Sequence, residues 1–276
     1  PMSAKYAMIL AYNGTDFCGW QIQKGTGIHE NRKPSIEGTV TEAIRQLCGE
    51  SSTVVSSGRT DAGVHASSQV AHFSLKAERP GAHFADGLNA ILPETIRVRE
   101  IRRVPDSFSA RRSVQKQYSY YFQQGAAPLP HLRKQTFWNR YPLDAAVMNE
   151  AVQTLVGEHD FLGFCGAGAQ VSSTVRTLHE ASVKRIPIPE PGCFAPESFS
   201  LVRIRLRGTG FLKQMVRNVA GTLRQIGEGR RPVADMASIL ASQDRKTAGP
   251  TAPPEGLWLD RVWYEESEEI AFLNQA

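Results

Sequence analysis

Between Ser198 and Arg207 apolar and basic residues alternate without a break. Val202, Ile204 and Leu206 point one way, and Arg203, Arg205 and Arg207 point the other. A period of two places them on opposite faces of a strand, one for a core and one for water. Arg97 and Arg99 alternate with Ile96 and Val98 in the same manner, and Arg111, Arg112 and Lys116 follow shortly after. Strands of this kind build a sheet that helices cover on one side, leaving the other side open. An open basic face suits contact with phosphate. On spacing alone, though, such a face is more often ordinary solvated surface.

The order of elements narrows the fold further. Lys5–Tyr12 is β-rich, and a long polar loop runs on to Pro34. Ser35 then caps a helix whose Ile36, Val40, Ala43, Ile44 and Leu47 share one face. Thr53–Ser57 and Gln69–Leu75 read as strands, His83–Leu92 as a helix ended by Pro93, and Thr95–Val104 as a strand. This β-α-β-β-α-β order is the split βαβ, or ferredoxin-like, unit. The second half repeats it with longer insertions. Gln117–Gln124 is a strand, Asp144 starts a helix bearing Ala145, Met148, Val152 and Leu155, and Ser173–Ile188 and Ser198–Arg207 flank a Pro/Gly-rich turn from Pro187 to Pro196. Gly210 opens a helix carrying Leu212, Met215, Val216, Val219, Leu223 and Ile226, which Gly227 and Gly229 end. A helix over Val233–Ala241 precedes a last strand, Leu257–Tyr264. The sequence therefore predicts an α+β protein of two ferredoxin-like halves, residues 1–107 and 108–276, forming a mostly antiparallel sheet with helices on one side.

Composition excludes several classes. Of 276 residues, 41% are hydrophobic and 21% charged, which is ordinary for a globular chain. The longest wholly apolar run, Tyr6 to Tyr12, is seven residues, far short of the roughly 20 that a membrane span needs. No charged region leads into an apolar stretch at the start, so no secretory signal is expected. The four cysteines are far apart without a C-x-x-C pair, which supports neither a zinc site nor a disulfide framework. A cytoplasmic protein is expected. The net charge of +5 is compatible with nucleic acid and names no partner by itself. P-loop, dinucleotide-binding, zincin and zinc-deaminase motifs are all missing. The histidines lack ligand spacing, and a lone His65 or His72 beside an apolar strand is more often packed and hydrogen-bonded.

What remains is the segment Ser57-Gly58-Arg59-Thr60-Asp61-Ala62-Gly63-Val64-His65-Ala66 between two strands. Glycines on both sides of Asp61 allow a sharp turn and close approach of a ligand to the carboxylate. Arg59 two residues earlier would favour the ionised form. The commoner reading of such an Asp is a turn residue bonding its own backbone.

The residues Gly58–Ala66 resemble the signature loop of the TruA family of tRNA pseudouridine synthases. Four further blocks resemble that family in the same order. They are Tyr12–Gln21 (with Asn13 where Asp is commoner), Phe108–Arg111 followed by Lys116–Tyr120, Gly208–Asn218 and Ala248–Pro254. The departures are Asp160–Cys165, where relatives often carry Arg at or beside Cys165, and the 187–196 insertion.

The resemblance implies a reaction. The C1′–N1 bond of a uridine breaks, the uracil turns, and C1′ is rejoined through C5. This isomerisation calls for no cofactor and no metal. It implies Asp61 as the catalytic carboxylate, acting at C6 of the base, at C1′ of the sugar or on the 2′ proton. It implies Arg217 as the cation paired with Asp61, keeping a buried carboxylate charged. An i,i+4 helix-surface role for Arg217 is poorly served, because positions 213 and 221 are not acidic. A Tyr-x-Tyr strand is commonly core, yet the resemblance implies Tyr118 as the platform under the uracil, with a hydroxyl able to move a proton. It further implies that Arg59 fills the space left by an extruded base and touches phosphate. The implied partner is tRNA at its anticodon stem-loop (about positions 38 to 40), bound by a homodimer, with no membrane and no small-molecule cofactor involved.

Overall fold

The computed structural model describes residues 3–22, 33–76, 78, 83–169, 171–187 and 199–275. The turn expected over Pro187–Pro196 lies outside the described residues from position 188 onward. Two compact units divide the chain, Pro1–Val114 with Trp258–Ala276, and Gln115–Leu257.

The first unit runs β1 (Ala4–Tyr12), α1 (Ile36–Cys48), β2 (Val55–Ser56), β3 (His65–Leu75), α2 (Phe84–Ile91) and β4 (Ile96–Arg103). Strand β1 pairs antiparallel with both β3 and β4, and β2 pairs antiparallel with β3. The spatial order β4-β1-β3-β2 is that of a split βαβ unit. Ser35 caps α1 by accepting from the Gly38 amide at 3.1 Å, and Gly49 at φ 74 closes it. The buried row is Ile36, Val40, Ile44 and Cys48 with Ala43. Leu47, expected on that face, is 37% exposed and rests against Gly87 of α2. The i, i+4 row continues to Cys48, so the buried stripe passes Leu47 by. Tyr6, Phe73 and Phe84 form the aromatic heart of this core, with centroids 5.3–6.0 Å apart.

The second unit runs β5 (Gln115–Gln124), β6 (Phe137–Trp138), α3 (Ala145–Gln153), β7 (Gly157–Asp160), β8 (Val175–Pro187), β9 (Ser200–Gly208), α4 (Met215–Gly227) and α5 (Asp235–Ser242). Its sheet order is β5-β9-β8-β7, antiparallel throughout, with β6 parallel to β5. The Asp144 carboxylate caps α3, accepting from the amides of Ala146 and Val147. The rows of β9 separate as their alternation requires. Val202, Ile204 and Leu206 are fully buried, and the three arginines are half-buried. Helix α3 packs on β8 and α4 on β5. The fold class is thus α+β with mostly antiparallel pairing.

Two boundaries differ from expectation. Helix α4 begins at Met215 and not at Gly210, because Gln214 adopts a left-handed φ of 57. Gly210–Gln214 is a turn, closed by the Met215 amide on the Leu212 carbonyl at 3.1 Å. Leu212 is buried in that turn, which is why its spacing read as helical. The changeover between units falls after Val114 and not at 107/108. The Ala110 amide donates to His72 Nδ1 at 3.1 Å, and Phe108 packs on Tyr264, holding this stretch to the first unit. The last strand, β10 (Leu257–Trp263), also belongs largely there. Its Trp258 and Leu259 pair in parallel with His65 and Ala66 of β3. Among the described residues no helix is long and apolar enough to cross a membrane.

Candidate active site

Asp61 sits in the loop that joins β2 to β3. The Val64 amide donates to the Asp61 carbonyl at 3.1 Å, closing a turn in which Gly63 holds φ 78. That value is cheap only for glycine. The loop is fastened from beneath by a polar cluster. Gln69 of β3 is fully buried; its Nε2 donates to the Gly58 carbonyl at 2.8 Å, and its Oε1 accepts from Ser57 Oγ at 2.6 Å. The Tyr12 hydroxyl lies 2.8 Å from Thr60 Oγ1. Burial pushes the Tyr12 phenol up to about 12, against the opposing pull of its Thr60 and Gln69 bonds. Tyr12 therefore stays neutral and serves as a fixed strut.

The segment after β1 braces the loop from the side. Trp20 donates its amide to the Thr60 carbonyl at 3.0 Å. Gly19, at φ 107, lies so close that a Cβ would come within 2.8 Å of that same carbonyl oxygen. The Gly14 amide donates to His65 Nδ1 at 3.1 Å, which leaves the ring proton on Nε2. His65 is fully buried and stacks on Trp258 at 4.5 Å, so its part is packing. Strands β1 and β3 and the segment after β1 thus all fix the backbone around one aspartate. Arg59 stands exposed on the same loop.

Tyr118 and Arg217 are placed in the second unit. Register pairs Tyr118, Tyr120 and Phe122 with Leu206, Ile204 and Val202, so these aromatics face the helix-covered side. Tyr120 is fully buried, and its hydroxyl donates to the Pro253 carbonyl at 2.8 Å. It is core. Tyr118 retains 9% exposure and meets Phe211 edge-on at 5.0 Å. Lys116, two residues earlier on the same side of β5, is pushed down to about 8 by burial and by the nearby Arg176 guanidinium. It does not belong to the open basic face on which its position in the sequence seemed to place it.

Arg217 lies in the first turn of α4, and its Nε donates to the Ala252 carbonyl at 2.8 Å. The Ala252 amide returns a bond to the Arg217 carbonyl at 3.0 Å. Beside it, buried Asn218 donates to the Phe164 carbonyl at 2.7 Å and accepts from Arg245 and Thr251. These bonds join the 160–165 and 248–254 segments to the helix that carries Arg217. Cys165 is buried, and burial pushes its thiol up against the opposing Arg176 and Lys213. It is a packing residue. Among the described residues no cluster of His, Cys, Asp or Glu could hold a metal ion.

The structure thus brings Asp61 and Arg59 onto one braced loop and sets Tyr118 and Arg217 on a strand and helix of the other unit. Sequence reasoning missed Gln69, Tyr12 and Asn218 as the residues that fix these places. A glutamine within the strand β3, just before Val70 and Ala71, was the one signal available for the first.

Comparison with known proteins gives these residues a context. A family profile described as tRNA pseudouridine synthase matches residues 151–265. The tRNA pseudouridine synthase A of Geobacillus kaustophilus is 39% identical over 267 residues, spanning 96% of each chain. That of Myxococcus xanthus is 40% identical over 94% of this chain and 91% of its own. That of Lactococcus lactis is 38% identical over 96% of this chain and 99% of its own. Identity at that level along nearly the whole of both chains means that this chain belongs to the tRNA pseudouridine synthase family.

Proposed function

We propose that this chain isomerises uridine to pseudouridine in the anticodon stem-loop of tRNA (about positions 38 to 40), as a cytoplasmic homodimer, with Asp61 acting directly on the extruded nucleotide. The observation that carries this reading is the bracing of the Asp61 loop. A carboxylate that must meet one atom of a turning base has to be held to within a fraction of an ångström. Hydrogen bonds from Gln69, Tyr12 and Trp20 supply that restraint. In the reaction the C1′–N1 bond breaks and a C1′–C5 bond forms. The proton on C5 leaves and N1 takes one up, so no electrons or groups are exchanged with any second substrate. In this reading Arg217 is the cation that pairs with Asp61, Tyr118 supports the uracil ring, and Arg59 occupies the gap in the stem while contacting phosphate.

The test is to incubate unmodified tRNA transcripts with the purified protein and map pseudouridine at single-nucleotide resolution. Pseudouridine confined to the anticodon stem-loop is expected. Its appearance only elsewhere in the tRNA, or nowhere, would overturn the proposal.

A further inference from the structure

A cavity of about 320 Å³ is lined in part by Ser57, Gly58 and Arg59 of the Asp61 loop, and Asp61 is not in its lining. Its lining includes Trp20, Glu37, Val54, Ser56, Arg59 and Arg111. That volume is near the lower end of the range for small-ligand pockets, about 300–1,000 Å³, and suits one nucleoside rather than a longer segment. The chemistry of the wall is divided. Trp20 and Val54, each 2% exposed, are core residues that close the floor of the cavity. Arg59 and Arg111 are exposed and suited to phosphate oxygens.

Glu37 decides which base. Its Oε2 accepts from the Ile22 amide at 3.2 Å, which fixes the carboxylate. Oε1 remains as an acceptor, and an ionised carboxylate can only accept. An exocyclic amine satisfies it, as in the pairing of Glu with cytosine N4. The O4 carbonyl of a uracil in the same place would meet it acceptor to acceptor. Position points to the same RNA strand. Arg59 is two residues from Asp61, a span of at most about 7 Å along the backbone.

We propose that this cavity is a second nucleotide site, taking an amino-bearing base such as cytosine from the strand whose uridine is presented to Asp61. The placement on that strand rests on the function proposed above; the base preference of the cavity does not.

The experiment titrates the full chain with CMP and with UMP by ligand-detected NMR, and measures steady-state kinetics on tRNA. CMP is expected to bind about ten-fold more tightly than UMP, the worth of one charge-assisted hydrogen bond. Glu37→Gln is expected to remove that preference, and Arg111→Ala to weaken both nucleotides alike. On tRNA, Glu37→Gln is expected to raise KM and leave kcat at saturation unchanged. Equal affinity for CMP and UMP in the wild type would overturn the site. So would unchanged binding in Arg111→Ala, a surface change that leaves the core intact. A CMP preference sensitive to Glu37→Gln with no change in the KM for tRNA would mark a site for free nucleotides and overturn its placement on the substrate strand. A wild-type protein that prefers CMP yet forms no pseudouridine would overturn the role of Asp61 and leave the base preference standing.

Discussion

Replacing Gln69 by Leu would leave the Ser57 hydroxyl and the Gly58 carbonyl without their partners inside a buried cluster. Each unsatisfied group costs about 1–3 kcal/mol, so Gln69→Leu is expected to lower the melting temperature by several degrees. It is also expected to lower kcat more than tRNA affinity, because the loop is loosened rather than its charge removed. Thermal melting and steady-state kinetics check both parts. Gly19→Ala acts on the same loop from the other side. The added Cβ would sit 2.8 Å from the Thr60 carbonyl oxygen at φ 107, and a cost of about 1–3 kcal/mol is expected in a urea titration. At this scale the sequence was informative about Asp61 and silent about what holds it. A loop of Gly, Arg, Thr and Asp announces itself through turn chemistry and family resemblance. A buried glutamine in a strand shows its role only once its partners in the preceding loop, Ser57 and Gly58, are in place.

Among the elements, β5 and α4 carry the remaining site residues, and each was legible in part. The alternation of Tyr118 and Tyr120 places both on one face, as the register has it, but only the packing of Gly256 and Pro253 on Tyr120 shows which tyrosine is core. The start of α4 was misread because a buried Leu212 continued the helical spacing through a turn; a left-handed Gln214 leaves no sequence signal of the kind a glycine would. Asn218→Leu tests the junction this helix makes. It removes partners from Phe164, Arg245 and Thr251 at once, and a loss of at least about 2 kcal/mol is expected by urea denaturation. Lys116 makes a pH prediction. Its folded value of about 8 lies below the ordinary lysine value of about 10.4. Between those two the unfolded chain binds more protons than the fold, so this group makes stability rise with pH from about 8 to 10. Tyr12, at about 12 when folded, has the opposite sign and acts above pH 10. The expected result is that Lys116→Met flattens the rise between pH 8 and 10 in urea midpoints; an unchanged slope would contradict the buried setting of this lysine.

The whole molecule carries a net charge of only +5, and several of its arginines are already engaged. Arg207 pairs with Glu180 at 2.7 Å, Arg103 with Glu78 at 2.7 Å, and Arg102 with Glu100. Arg203 and Arg205, by contrast, face Tyr121 and Ser119 of β5 across the ladder. Phosphate contact on this face predicts that Arg203→Gln with Arg205→Gln reduces the slope of log affinity for tRNA against log salt by about 1 per residue. Binding titrations between low and moderate salt read this directly. The α+β class and the β-α-β-β-α-β order of the first unit followed from periodicity alone. The return of residues 258–276 to that unit did not, because a parallel pairing of Trp258 with His65 joins residues far apart in the chain and leaves no local pattern. The central claim, that Asp61 is the residue that acts on the nucleotide, is tested most directly by tritium release from tRNA labelled at C5 of uridine. Asp61→Asn is expected to bind tRNA as the wild type does and to release no tritium; release at the wild-type rate would contradict the assignment.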